Sequence, residues 1–386
     1  MVVHAGLSPS GKAAVFGIAI RRFESSQPSQ FALHEVSLMS FFSLPRLCLF
    51  SCFLLATSAL AQTGAHLNVL MYHHIANDTP PATSTRVEVF QSHLEYLAEH
   101  HTVVDLVWAL ERLKAGETIP ENAVALTFDD AYINVYTTAW PMLQAFDFPF
   151  TVFVATLPVD QGSRISISWD QLREMHADGV RLLNHSHGHE YMVRAEAYDE
   201  AWREQVTQTI THAQNRLTEE LGKAPPLIFA YPYGEYNHPL QNLLADLGYI
   251  AMGQHSGGIA TFSDWLGLPR FAAGGTAQNL DTLRVKLQSR PLPVAFPLPD
   301  QVTNDRQPVL DVALLEDDRV RWSQLNCFTG AGRAIPFTLT DTHLRAQTDE
   351  PFRDGRNRYN CTAPAADGGF YWLSQQWLIN QGPADD

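Results

Sequence analysis

Positive charge is scarce in this chain. Lys and Arg total 26 against 41 Asp and Glu, a formal net charge of −15 over 386 residues, and no basic stripe forms along the sequence. Phosphate backbones demand clustered cations, so a nucleic-acid partner is excluded, and anionic polymers with it. The dinucleotide fingerprint is missing too: no Gly-x-Gly-x-x-Gly follows the first strand-like segment. The apolar run from Leu47 to Leu60 is too short, and too quickly followed by polar chain, to span a membrane. Cysteine is rare. Of four, Cys48 and Cys52 fall in that apolar run, and no C-x-x-C or His pair accompanies Cys327 and Cys361 to make a metal site.

What is present begins with an address. Met39 opens "MSFFSLPRLCLFSCFLLATSALAQ", with one basic residue, Arg46, then the apolar run, then small residues Ala59 and Ala61 before Gln62. This is the layout of a signal peptide over 39–61, with residues 1–38 an upstream extension from a mis-called start. A lipoprotein reading of Cys52 fits poorly, because Phe50 is wrong for the motif and the apolar run continues past the cysteine. Export to the periplasm or beyond follows, with no membrane span in the mature chain. Cleavage makes that chain more acidic, since four basic residues leave with only two acidic ones. It also leaves Cys327 and Cys361 alone in an oxidising compartment, which predicts one disulfide.

Hydrophobic residues make up 45% of the chain, enough to bury a sizeable core and more than one domain. "LNVLMY" (67–72), "AVALTF" (123–128), "FTVFVA" (150–155), "VRLLN" (180–184), "LIFAY" (227–231), "IAMG" (250–253) and "LPRF" (268–271) read as strands. Helical segments alternate with them. Ser168 with Gln171 gives one a capping box, and Pro141 should kink "NVYTTAWPMLQAF". Such alternation predicts an α/β fold with parallel strands, and the absent glycine fingerprint favours a distorted (β/α) barrel over 62–290. Beyond a Pro-rich linker at 291–299, short alternating segments over 300–386 predict a small accessory β-sandwich. Alternation places Tyr371, Trp372 and Trp377 in its core rather than in a sugar-stacking platform.

A barrel gathers its chemistry at the C-terminal ends of its strands. The polar residues obey. Tyr72 and His73 end the first strand, Asp129 and Asp130 the second, "NHSHGH" (184–189) follows "VRLLN", "YPYG" (231–234) follows "LIFAY", and Arg270 lies in "LPRF". Two like charges at a low-dielectric mouth need neutralising. A cation on Asp130 does this and frees Asp129 as a base. His185 and His189, four apart, can face the same point and complete a His₂-carboxylate set. The plainer readings are a helix N-cap for an Asp pair alone, a buried structural role for His73 or His74, and a bridging role for Arg270.

"TFDD" (127–130), "HSHGH" (185–189) and "YPYG" (231–234), in this order and spacing, resemble the first three motifs of polysaccharide deacetylases, carbohydrate esterase family four. The likeness covers about 67–290. It implies metal-dependent removal of acetyl groups from an acetylated carbohydrate, with Asp129 as base and Asp130, His185 and His189 as ligands of a divalent metal. Zn²⁺ is the first choice, with Co²⁺ or Ni²⁺ as alternatives. The backbone N–H of Tyr233 would donate to the oxyanion. The chain departs from the pattern where Ala230 replaces the arginine of the third motif, where Ala131 replaces a glycine, and in lacking a late Leu-x-His. The subgroup acting on poly-β-1,6-N-acetylglucosamine resembles it more closely. There a histidine after the first strand is the acid, here His73, and an arginine in an x-Pro-Arg segment partners the base, here Arg270. N-deacetylation is therefore the expected activity. An O-acetyl esterase of xylan-like polymers, or a carbohydrate-binding protein with a vestigial site, is the alternative.

Overall fold

Pairing between strands follows chain order almost throughout. The computed structural model describes residues 65–380, which lie within one compact unit. Residues 39–61, read above as a signal peptide, residues 1–38, read as an upstream extension, and Cys48 and Cys52 with them fall outside the described residues. Strands β1 (Asn68–Tyr72), β2 (Ala123–Asp129), β3 (Thr151–Val154), β4 (Arg181–Asn184), β5 (Ile228–Ala230) and β6 (Ile250–Met252) pair in parallel, each with the next. β7 (Phe271–Ala272) returns to pair with β1, through Leu70↔Phe271.

The ring closes through the "LPRF" segment. Leu268 bridges Met252 in parallel, accepting from Gly253 N and donating to Ala251 O, three residues before β7 meets β1. Pro269 has no N–H to continue that ladder, so the closure is a single bridge and the barrel is distorted.

Strand alternation then sorts the side chains. Leu70, Tyr72, Val124, Leu126, Phe128, Val152, Val154 and Leu182 pack outward under the helices. Val69, Ala125, Phe153, Leu183, Ala230 and Met252 fill the interior. Asp129 shares the parity of Ala125 and so ends inside the barrel. His73 continues the interior parity of Val69, and His74 that of Tyr72.

Local signals behave as the sequence predicts at one helix and differ at another. The helix Trp169–Ala177 starts with a complete capping box from Ser168 and Gln171. Around Pro141 there is no bent single helix: a π-helical turn, Val135–Ala139, runs into a short α-helix, Trp140–Ala145, with the proline in its first turn. A proline there needs no N–H of its own, and the wide turn before it gives its ring room.

The C-terminal part forms two sheets around one apolar cluster. One pairs Ser289–Pro291, Phe370–Ile379, Gly355–Pro364 and Asn326–Thr329; the other pairs Val309–Ala313, His343–Gln347 and Phe337–Leu339. Cys327 and Cys361 sit directly opposite each other on antiparallel neighbours and form a buried disulfide. Tyr371 and Trp377 are core residues, while Trp372 packs edge-on against Phe271 of the barrel. The Pro-rich 291–299 stretch is packed rather than a free tether. Pro291 pairs with Trp372, Val294 bridges Leu314, and Leu292 and Val294 are buried in the C-terminal cluster. Its prolines keep the chain extended as it enters the sheet, and its apolar residues bury there.

Candidate active site

Asp129 and Asp130 are neighbours with different surroundings. Asp129 is fully buried and takes a bidentate clamp from Arg270, Nη1 to Oδ1 at 2.7 Å and Nη2 to Oδ2 at 2.9 Å. Arg270 is itself fully buried. Its Nε donates to Gly253 O at 2.9 Å, and its guanidinium lies over the Phe153 ring. Burial pushes the Asp129 carboxyl up, but the Arg270 and His185 charges and the Arg270 hydrogen bonds outweigh it and hold the carboxyl below its ordinary range. A buried pair of this kind is costly to break from one side, on the order of 3–5 kcal/mol, because the remaining charge is stranded.

At Asp130 the backbone turns left-handed, φ +70°, and Ala131 follows at +55°. Glycine adopts such angles without a Cβ penalty, which is why glycine suits position 131; here alanine bears the strain. The double turn lifts the Asp130 carboxylate out of the interior toward two imidazoles. Asp130 Oδ1 lies 3.3 Å from His185 Nε2 and 3.3 Å from His189 Nε2.

The histidines are aimed by a tight loop rather than a helical turn. Ser186 N donates to Asn184 Oδ1 at 2.9 Å, and His189 N donates to Ser186 Oγ at 2.9 Å. Ser186 and His189 are both left-handed, at φ +67° and +59°. His185 Nδ1 donates to Ala230 O at 2.8 Å, which fixes the tautomer and turns the Nε2 lone pair toward Asp130. That Nε2 is buried without a hydrogen-bond partner, despite its approach to Asp130. Burial and the neighbouring His185 charge lower the His189 pKa to about 4, so His189 is neutral at neutral pH.

One ligand atom from each of Asp130, His185 and His189 lies within 4.8 Å of the others. Two neutral-capable imidazoles, one carboxylate and a buried orphan lone pair fit a divalent cation. They leave room for further ligands.

The cleft above them measures about 570 Å³ and is lined by His73, Asp130, Tyr132, His189, Tyr233, Gln254 and Arg356, among others. His73 therefore faces the same space as the Asp130 cluster. His74 does not: it is buried, stacked on Tyr132 at 3.6 Å between centroids, and its Nδ1 bonds Asn134 Nδ2 at 2.9 Å. Tyr233 occupies a left-handed turn, φ +59°, with its ring against His189 and stacked on Tyr191.

Two cleft residues, Tyr132 and Arg356, and Tyr191, which stacks on Tyr233, escape a reading of the sequence. Tyr132 follows the Asp pair by two positions and could have been flagged by proximity. Tyr191 and Arg356 carry no such signal, since the first lies beyond the histidine motif and the second belongs to the C-terminal sheet.

With this geometry in hand, comparison places the chain. Residues 116–252 match the family described as polysaccharide deacetylase. The chain is 27% identical over 250 residues to the poly-β-1,6-N-acetyl-D-glucosamine N-deacetylase of Escherichia coli (strain K12), a match covering 54% of this chain and 37% of that protein. The chain thus spans well under half of that relative's length. Among solved structures it superposes on the Streptococcus pyogenes deacetylase PplD with a TM-score of 0.53 at 23% identity, covering 58% of this chain and 99% of the other. IcaB from Ammonifex degensii gives a TM-score of 0.50 at 23% identity, covering 58% and 98%. At these identities the structural likeness establishes the fold. The likeness to the polysaccharide deacetylase family rests on residues 116–252, which hold Asp129, Asp130, His185, His189 and Tyr233.

Proposed function

We propose that this protein is a metal-dependent hydrolase that removes N-acetyl groups from poly- or oligosaccharides containing N-acetylglucosamine. The observation that carries the reading is the buried Arg270–Asp129 clamp beside the Asp130–His185–His189 set, of which Asp130 and His189 line one cleft with His73. It supplies, from the residue just before β7, the arginine that Ala230 does not provide. The E. coli relative, an N-deacetylase of poly-β-1,6-N-acetyl-D-glucosamine, supports the substrate class.

A divalent cation held by Asp130, His185 and His189 would polarise the acetyl carbonyl and bring the pKa of a water toward about 7. Zn²⁺ suits two imidazoles and a carboxylate, with Co²⁺ or Ni²⁺ as substitutes. Asp129 takes the proton from the attacking water. Arg270 keeps that carboxylate ionised and fixed in orientation, so it is ready as an acceptor. The Tyr233 N–H donates to the oxygen that gains charge as the carbonyl is attacked. Collapse then requires a proton on the departing amine, and His73, which lines the same cleft, donates it.

The site operates outside the cytoplasm in this reading. The buried Cys327–Cys361 disulfide supports an oxidising compartment, periplasmic or extracellular. Among the described residues no helix is long and apolar enough to cross a membrane.

Acetate release from β-1,6-linked N-acetylglucosamine oligomers, chitooligomers and acetylxylan, each with added Zn²⁺, Co²⁺ or Ni²⁺, tests the proposal. Release from an N-acetylated oligomer is expected. Release from acetylxylan alone would replace it with an O-acetyl esterase. No release from any substrate by protein carrying metal would leave a binding protein.

A further inference from the structure

The turn at Tyr233 is held from outside the barrel. Two consecutive residues, Tyr233 and Gly234, are left-handed, with φ +59° and +69°. Gly234 cannot be replaced, since a Cβ there would lie 2.5 Å from Gln254 Cβ. A non-glycine residue stays in such a conformation only when its neighbours over-determine it. The neighbours that do so belong to the C-terminal sheet.

Arg356 Nη1 donates to Tyr233 O at 3.0 Å, and Gln376 Nε2 donates to Gly234 O at 3.1 Å. These donors sit on adjacent antiparallel strands. Arg356 pairs with Leu378 and Arg358 with Gln376, so Arg356 and Gln376 are diagonal neighbours on one face. The opposite face, with Tyr359, Cys361, Leu373 and Trp377, makes the core of the C-terminal domain. The face carrying Arg356 and Gln376 is turned to the barrel, where Leu378 packs with Tyr231, Tyr236 and Leu240.

A second brace meets the first. Glu235, buried at the end of the turn, is clamped by Arg194 at 2.7 and 3.0 Å, and Arg356 Nε lies 3.7 Å from the same carboxylate. Arg194 stacks at 3.8 Å on Tyr191, which stacks at 3.7 Å on Tyr233. The turn is therefore gripped on its ring and on two successive carbonyls. Arg356 is the member of this grip that also lines the cleft, with its side chain about half exposed at 48%.

We propose that Arg356 is a positioning residue of the deacetylase site: the C-terminal domain, through Arg356 and Gln376, sets the Tyr233 turn so that its N–H points at the developing oxyanion. This rests on the deacetylase reading above. The C-terminal domain is then part of the catalytic unit rather than an accessory.

The test uses the full chain with Arg356→Met, which keeps the apolar stem and removes the donors, and Arg356→Lys, which restores one. Losing an oxyanion donor outright costs about 10²–10³ in kcat, so a donor left present but loosened should cost about tenfold. Expected for Arg356→Met is a tenfold loss in kcat on N-acetylglucosamine oligomers, KM within twofold, unchanged metal content and faster amide exchange in the 231–236 peptide. Arg356→Lys should recover most of the kcat. A kcat within twofold of wild type and unchanged exchange would overturn the proposal. A raised KM with unaltered kcat would overturn it as well, by making Arg356 a substrate contact. Should the wild type release no acetate, the deacetylase reading fails, and exchange alone decides the brace: faster exchange in Arg356→Met upholds it and unaltered exchange removes it. Gln376→Met, read by the same exchange, decides the matter if Arg356→Met does not fold.

Discussion

Two Asp–His–His clusters occur in this molecule and differ in burial and in charge compensation. Asp130, His185 and His189 form one, and Asp160, His187 and His212 the other, with His187 sitting in sequence between the ligands of the first. In the second, Asp160 is already paired. Arg216 reaches it through Nε and Nη2 at 3.1 and 2.9 Å, and Trp169 Nε1 donates at 2.8 Å. His187 Nδ1 is bonded to Thr156 Oγ1. In the first, Arg270 is spent on Asp129, and a buried imidazole nitrogen is left without a partner. A set of ligand-type residues calls for a cation only where the protein has not supplied one itself. Residue types alone do not distinguish the two clusters; burial and charge compensation do.

The comparison can be attacked directly. The largest effect should come from His185→Ala, which removes a ligand: metal measured by elemental analysis and acetate release should both vanish, whereas His187→Ala should retain one metal per chain. Equal metal loss in both would erase the distinction. Next, Asp129→Asn should keep its metal and lose activity toward the upper end of about 10²–10⁴, the range for a lost acid–base group. Asp129→Asn protein without metal, alongside Asp130→Asn protein with it, would reverse the two roles. His73→Ala should also keep its metal and lose on the order of 10² in rate, while His74→Ala, a buried stacking residue, should show itself in melting temperature more than in turnover. Similar rate losses in the two would remove His73 as the acid.

Arg216→Ala sharpens the contrast from the other side. With Asp160 uncompensated, a second and weaker equivalent of Zn²⁺ should appear by calorimetry. Its absence would mean that compensation is not what separates the clusters. The smallest effect belongs to His212→Ala, an exposed position, where metal content should stay at one equivalent and rate should change by about twofold at most.

Much of this site could be read in advance, for a physical reason. Strand alternation and the barrel's single active face bring residues far apart in sequence to one mouth, so strand ends alone locate Asp129, His185 and His73. What could not be read depends on backbone turns and on distant packing. The paired left-handed residues at Asp130 and Ala131 raise the ligand carboxylate, yet alanine gives no hint of positive φ. The loop that aims His189 rests on Asn184 and Ser186 hydrogen bonds that the H-x-x-x-H spacing does not encode. Arg356 was invisible because nothing in a β-rich tail announces which face of a sheet meets a barrel. The same blindness made the packed 291–299 stretch look like a linker.

The clamp on Asp129 has a consequence for the order in which the molecule can be made. Its two halves lie 141 residues apart. A nascent chain that has formed the first five strands still lacks Arg270, and an ionised carboxylate is too costly to bury alone. The half-built barrel must therefore leave its second strand end open to water until the closing segment arrives. Long-range closure of this kind slows folding, because the loop must be ordered before the contact rewards it. The Asp129 carboxylate is in this sense a latch: the mouth cannot become dry until the last strand has locked in place.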